Sequence, residues 1–233
     1  MANFNTHLLG AAAASGVMSS TLLLTGLFSP LQGMLLWATG TLGGLLPDLD
    51  ADTSPTLKGL FTALGILAAF ICLFSLIQFA LLAVWGMMAG IFIVIRFGAL
   101  KLFAELTEHR GAFHSLLATA TFGLGTAFLC WRFLHLSIDL SWAMGLMMSF
   151  GYLTHLILDE CFAVNLSNLE FKQSFGTALK PVSLSNWWAS LLFLACGLYF
   201  AWATPQPQRL DTALQTLLSH PERWISQPLA RRV

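Results

Sequence analysis

The chain has 233 residues, 57% of them hydrophobic and only 9% charged, with a mean hydropathy of +0.75. A soluble domain carries about 25% charged residues, so an ordinary soluble globular domain is excluded. Eleven basic residues against eleven acidic ones leave no net charge to attract a nucleic acid.

Apolar runs long enough for a bilayer, about 20 residues of helix, recur from His7 to Ala203 and predict an all-α, polytopic transmembrane bundle. The first cationic side chain is Lys58, so no charged n-region precedes the first run, which is expected to persist in the mature protein. Seven spans are expected, at about 7–28, 31–46, 58–75, 78–98, 113–134, 140–159 and 186–203. Pro30, in "FSPL", separates the first two, and Pro47 stops the second because proline cannot continue a helix comfortably. The stretch from Gly59 to Ile95 is almost unbroken. As one helix it would extend about 55 Å at about 1.5 Å per residue, against a hydrocarbon core of about 30 Å. A tight hairpin is therefore placed near Ser75 to Gln78.

A polar connection, about 160–185, follows the sixth span and holds Glu160, Glu170, Lys172 and Lys180. Residues 1–203 are expected to form one membrane-embedded domain and 204–233 a short amphipathic tail. In that tail Leu210, Ala213, Leu214, Leu217 and Leu218 repeat along one helical face, suited to the membrane surface or to the protein itself. Cys72, Cys130, Cys161 and Cys196 are scattered without CxxC pairing and are expected to be buried apolar thiols.

Ionisable residues gather at span ends. His7 opens the first span; Asp48, Asp50 and Asp52 follow the second in "LLPDLDAD"; Glu108, His109, Arg110 and His114 precede the fifth; His155, Asp159 and Glu160 close the sixth. With seven alternating spans, all four clusters meet one membrane face, whereas fusing the third and fourth spans would put "HRGAFHS" opposite "PDLD". Lys58, Arg96, Lys101, Arg110, Lys172 and Lys180 fall on the cluster side, against Arg132 and Arg209 on the other. The positive-inside rule then makes the cluster face cytoplasmic, although Arg223, Arg231 and Arg232 in the tail, far from any span, count the other way.

His155 and Asp159 are four apart, one turn apart on one helical face. Asp48 and Asp50 point the same way if their segment is extended. With His7, His109 and His114 they make seven candidate metal ligands, four imidazoles and three carboxylates with no thiolate. Such mixed N/O donors suit zinc, with manganese or iron as alternatives, and are numerous enough for two divalent ions. Arg110, Asp50 and His114 are the candidate catalytic residues, the Arg110 guanidinium being suited to an anionic transition state such as a phosphate. Each cluster alone has an ordinary explanation, a helix end in water or a loop hydrogen bond; their convergence favours a metal site. Asp52, Glu108 and Glu160 are expected to be solvated, His135 and Asp139 to belong to a short polar loop on the opposite face, and Ser115 to begin a helix rather than act as nucleophile. His220 has no expected partner.

These motifs resemble the YdjM-like family of bacterial inner-membrane proteins, described as LexA-regulated, membrane-bound metal-dependent hydrolases. His7, "GGLLPDLD", "HRGAFHS", "GYLTHLILDE" and "FGTALKPVS" carry the resemblance, in that order, from residue 7 to about 183. The resemblance implies metal-site positions at His7, Asp48, Asp50, His109, His114, His155 and Asp159, with Arg110 and Ser115 as polar neighbours. The family is similar to the phospholipase C and P1 nuclease superfamily, which implies zinc-assisted phosphoester hydrolysis. Lys180 stands where the family has an aromatic residue before the proline of its last motif, and the connection after Asp159 is long; an added cation there favours anionic head groups.

The expectation is a metal-dependent hydrolase using metal-activated water at the cytoplasmic membrane interface. Its partners would be membrane lipids and a small-molecule or lipid-borne phosphoester, not a nucleic acid. Two other classes remain. A metal transporter or channel calls for polar groups near the bilayer midplane on interrupted helices, which the middles of these spans lack. A non-catalytic membrane scaffold with a structural metal would carry the same ligands.

Overall fold

Among the described residues three helices begin at a side-chain cap, Ser29, Ser115 and Asn186. The computed structural model describes residues 4–50, 58–59, 61–62, 64–66, 68–70, 79–101, 112–165, 170–171, 179–184 and 186–219. They fall in two compact units, Met1–Pro47 with Ala112–Val233, and Asp48–Gly111.

In the first unit, α1 (Phe4–Leu23) turns through Gly26, whose positive φ of 70° suits glycine, into α2 (Pro30–Gly43). The start of α2 is a capping box: Ser29 Oγ accepts from Gln32 N, Gln32 Oε1 accepts from Ser29 N, and Pro30 occupies the first turn. A 3-10 turn, Pro47–Asp50, follows and carries the chain into the second unit. There α3 (Leu81–Ile93) continues through a π-helical turn, Val94–Ala99, and Gly65 lies against the Phe92 ring.

The first unit resumes with α4 (Leu116–Arg132), capped by Ser115, whose Oγ accepts from Ala118 N. His135, at φ 51°, makes the turn into α5 (Ile138–Ala163); histidine is one of the residues that tolerate this backbone region. After α5, β1 (Val164–Asn165) and β2 (Glu170–Phe171) pair as a minimal antiparallel ladder. Asn186 caps α6 (Trp187–Ala203), and a 97° bend leads into α7 (Gln208–Ser219).

Helix α5 is the centre of this unit, packing against α1, α2 and α4, while α6 packs on α4. The hydrogen bond from Ser149 Oγ to Thr119 O and the Gly123–Gly145 approach align α4 and α5 antiparallel. Thr121 Oγ1 donates to Phe193 O and Phe128 stacks on Phe200, so α4 and α6 run parallel. The starts of α1, α4 and α6 therefore share one end with the finishes of α2 and α5. At the far end Leu22, Phe28, Leu36, Leu140, Met147 and Leu210 form an apolar core. The tail helix packs on the protein through its first turns: Leu210 is buried there with Leu214 beside it, and Asp139 Oδ1 accepts from Leu210 N, whereas Leu218 near its end is exposed.

Glycines set the closest crossing. A Cβ on Gly151 of α5 would collide with the Gly40 carbonyl of α2, the small-residue contact that lets membrane helices approach backbone to backbone.

Among the described residues the chain is helical apart from the β1–β2 ladder. One helix, Leu81–Ala99, is long and apolar enough to cross a membrane, and α6 reaches that length only when joined to α7 across their bend. Expected spans and observed helices therefore differ. Helix α2 has 14 residues and α4 has 17, about 21 and 26 Å at about 1.5 Å per residue, because apolar runs in the sequence continue through turn residues such as Leu27, Phe28, Leu45 and Leu46. Helices α1 and α5 are longer, but α1 carries His7 and several hydroxyls, and α5 carries Asp139, His155, Asp159 and Glu160. The described residues between 58 and 70 are helical, whereas the hairpin expected at Ser75 to Gln78 lies outside the described residues.

Candidate metal centre

Four buried side chains meet where α5 ends. His155 and Asp159, one turn apart, face the bundle interior from α5; His7 comes from the first turns of α1, and His114 from the turn just before the Ser115 cap of α4. All four are 5% exposed or less. His7 Nε2 lies 3.2 Å from Asp159 Oδ1, His114 Nε2 lies 3.6 Å from Oδ2, and His155 Nε2 lies 3.8 Å from Oδ2. Three imidazole Nε2 atoms therefore converge on one carboxylate. The His7 and His155 rings stack at 3.6 Å and 11°, and the His114 ring stands 70° to that of His155 at 6.0 Å.

Neighbouring groups fix these orientations. His155 Nδ1–H donates to Gly44 O at 2.7 Å, which settles the tautomer and leaves Nε2 as the atom facing Asp159, the arrangement found behind metal-bound imidazoles. The bond exists because Gly151 and Gly40, each one turn before His155 and Gly44, let α5 and α2 touch. Tyr152, fully buried, donates from Oη to Phe113 O at 2.7 Å and so pins the residue before His114. Beyond it, Leu116 N donates to Lys180 O and Leu117 N to Pro181 O, with Ser115 and Lys180 forming a parallel bridge. This brings Lys180 and Pro181 against Ser115, Leu116 and Leu117 as a strap across the start of α4. Glu160 Oε1 accepts from Leu179 N at 3.2 Å, so this acid anchors the strap rather than being merely solvated.

The donor set fits a divalent ion. Ligand atoms arranged tetrahedrally about zinc at about 2.0–2.1 Å stand about 3.3 Å apart, close to the separations seen around Asp159. Donor atoms of His7, His155 and Asp159 all lie within 4.8 Å of one another. Beyond the 3.2 Å approach of His7 Nε2, the buried Asp159 Oδ1 has no hydrogen-bond partner among the described residues, and the buried His7 Nδ1 has none. Buried polar atoms normally have one, and an ion bound by Asp159 would engage its oxygen.

Of the expected ligands, His7, His114, His155 and Asp159 are thus brought together. Asp48 is half-buried in the 3-10 turn, where the second unit begins. Asp50 ends the same turn, its side chain lying outside the described residues, as do His109, Arg110, Glu108 and Asp52 entirely. Two contributors had escaped the sequence: Gly44, whose only signal was the glycine pair before Pro47, and Tyr152, whose partner is a backbone carbonyl 39 residues away. Two expectations are corrected. Cys161 is exposed, because α5 runs past Asp159 to Ala163, while Cys130 is buried, Cys196 half-buried and Cys72 outside the described residues. Asp139 lies in the first turn of α5 and caps α7 by accepting from Leu210 N, rather than belonging to a short polar loop.

The model of the YdjM inner membrane protein family matches residues 1–219. No curated protein and no solved structure matches the chain.

Proposed function

We propose that this chain, which belongs to the YdjM inner membrane protein family, is a membrane-bound hydrolase with its metal centre at His7, His114, His155 and Asp159, acting on a phosphoester or lipid-borne substrate. One observation carries the proposal: three buried Nε2 atoms within 3.2–3.8 Å of a single carboxylate. Zinc suits this donor set first, with manganese or iron next. Such an ion supplies Lewis acidity at a phosphoryl oxygen and acidifies water to a pKa of about 7.

The chain's own residues do the rest. Gly44 O holds the His155 tautomer, Tyr152 holds the backbone before His114, and burial keeps bulk water from the donor atoms. Lys180 brings a positive charge to the strap beside Ser115. From their motifs, Asp48, Asp50 and His109 complete the proposed ligand set, enough for a second ion, and Arg110 is the proposed contact for the anionic transition state. The bundle is proposed to cross the inner membrane several times with its cluster end cytoplasmic, as the basic residues near the span ends favour.

The test is the metal content of detergent-purified protein, wild type against His114→Ala and Asp159→Ala. Stoichiometric metal in the wild type, lost in both variants, is the expected result. A metal-free wild type that zinc or manganese leaves without activity on a phosphoester panel overturns the proposal. Metal uptake into liposomes without hydrolysis replaces it with transport.

A further inference from the structure

Helix α6 carries exposed aromatic side chains at both ends and exposed aliphatic ones between. Trp187 and Trp188, stacked at 3.8 Å, open it, and Tyr199 and Trp202 close it, Trp202 being 84% exposed. Leu191, Leu192, Leu194 and Leu198 are the exposed aliphatics along its length. From Trp187 to Trp202 the helix rises about 22 Å at about 1.5 Å per residue, and the indole rings add reach at each end. Aromatic rings collect at both headgroup boundaries of a bilayer, with aliphatic side chains in the hydrocarbon between them. Helix α6 therefore has the side-chain pattern of a depth gauge for the bundle.

The Trp187–Trp188 end of the gauge is the cluster end. Because α4 and α6 run parallel, the start of α6 lies beside the start of α4, and His114 immediately precedes the Ser115 cap there. The strap is bound to that same helix start through Lys180 O and Pro181 O, and it exposes Val182 and Leu184, the latter 85% exposed. A stretch with a lysine, exposed aliphatics and two tryptophans within nine residues matches the chemistry of the headgroup layer, apolar below and anionic above.

We infer that residues 179–184 with Trp187 and Trp188 seat in the headgroup layer and hold the His7, His114, His155 and Asp159 cluster at that depth, so that its substrate is a membrane lipid whose phosphorylated head group already lies at that level. The depth stands on the aromatic gauge and the strap alone; the choice of substrate rests on the metal-centre proposal. A soluble phosphoester would need no such seat.

Depth is measured on full-length protein in phosphatidylcholine–phosphatidylglycerol vesicles, with a nitroxide placed at Leu184→Cys or Leu194→Cys after the native cysteines are changed to serine. Oxygen and nickel-chelate accessibilities are expected to put the label at 184 in the headgroup layer and that at 194 in the hydrocarbon. A label at 184 as open to the chelate as a fully aqueous site, or as deep as 194, overturns the proposal. If the cysteine-free background does not fold, quenching by lipids brominated at graded depths, compared between wild type and the Trp187→Phe/Trp188→Phe variant, reads the same depth with native cysteines in place.

A second arm gives the metal-loaded protein one phosphoester head group in two forms, on a vesicle lipid and on a water-soluble short chain. Leu184→Asp is expected to slow hydrolysis of the membrane form at least tenfold and the soluble form less than twofold. Equal loss on both, or a preference for the soluble ester, overturns the lipid assignment. Hydrolysis of neither overturns the hydrolase proposal and the substrate with it, while the nitroxide depth is read independently.

Discussion

Substituting Gly151 by alanine tests whether the α2–α5 crossing holds the candidate metal centre together. The added Cβ would collide with the Gly40 carbonyl oxygen and stand 2.7 Å from the Gly40 carbonyl carbon and 3.0 Å from Gly44 N. Carbon atoms settle at about 3.5–4.0 Å, so the helices must separate by about 1 Å. The same movement carries His155 Nδ1 away from Gly44 O, now 2.7 Å distant, to about 3.7 Å, beyond hydrogen-bonding range. Overpacking costs about 1–3 kcal/mol, and the lost buried bond adds about 1–2 kcal/mol. At about 2–4 °C per kcal/mol for a chain of this size, the thermal midpoint in detergent is expected to fall on the order of 5–15 °C, with metal retention reduced in parallel. Gly86→Ala is the control, because a Cβ there meets nothing within 4 Å. If Gly151→Ala unfolds within a degree of Gly86→Ala and keeps its metal, the crossing does not set the geometry of the site.

Tyr152→Phe removes the 2.7 Å bond to Phe113 O and is expected to cost about 1 kcal/mol. Its metal should also exchange faster against a mild chelator, since the backbone before His114 is released; wild-type exchange would refute a positioning role. Asp139→Ala removes the acceptor for Leu210 N at the far end and should speed limited proteolysis in the Pro205–Gln208 turn severalfold while metal content stays at the wild-type level. Unchanged cleavage would mean that Leu210 burial alone holds α7 in place.

His155 and Asp159 were legible because the helical period puts residues four apart on one face, whatever the surrounding fold. His7 and His114 required a further step, the alternation of helix directions, and the bundle does gather the starts of α1 and α4 with the finish of α5. What escaped the sequence is of another kind. Every residue has a carbonyl, so nothing in composition marks Gly44 O as the acceptor for His155, and only the crossing at Gly40 and Gly151 selects it. The Tyr152 bond fixes the backbone before His114, a contact 39 residues away that no sequence spacing marks. Helix ends were misplaced because hydrophobicity persists through turns such as Leu45–Leu46, whereas a helix stops where its backbone finds other partners.

The spread of the four donors along the chain also governs when the site comes into being. Asp159 is synthesised 152 residues after His7, so the four donors cannot meet until α5 has joined α1 and α4. An ion bound at the proposed site would tie α1 to α5, and its binding energy would become folding energy. A chain halted before α5 would hold His7 and His114 but neither His155 nor Asp159, so occupancy of the proposed site would record completed assembly.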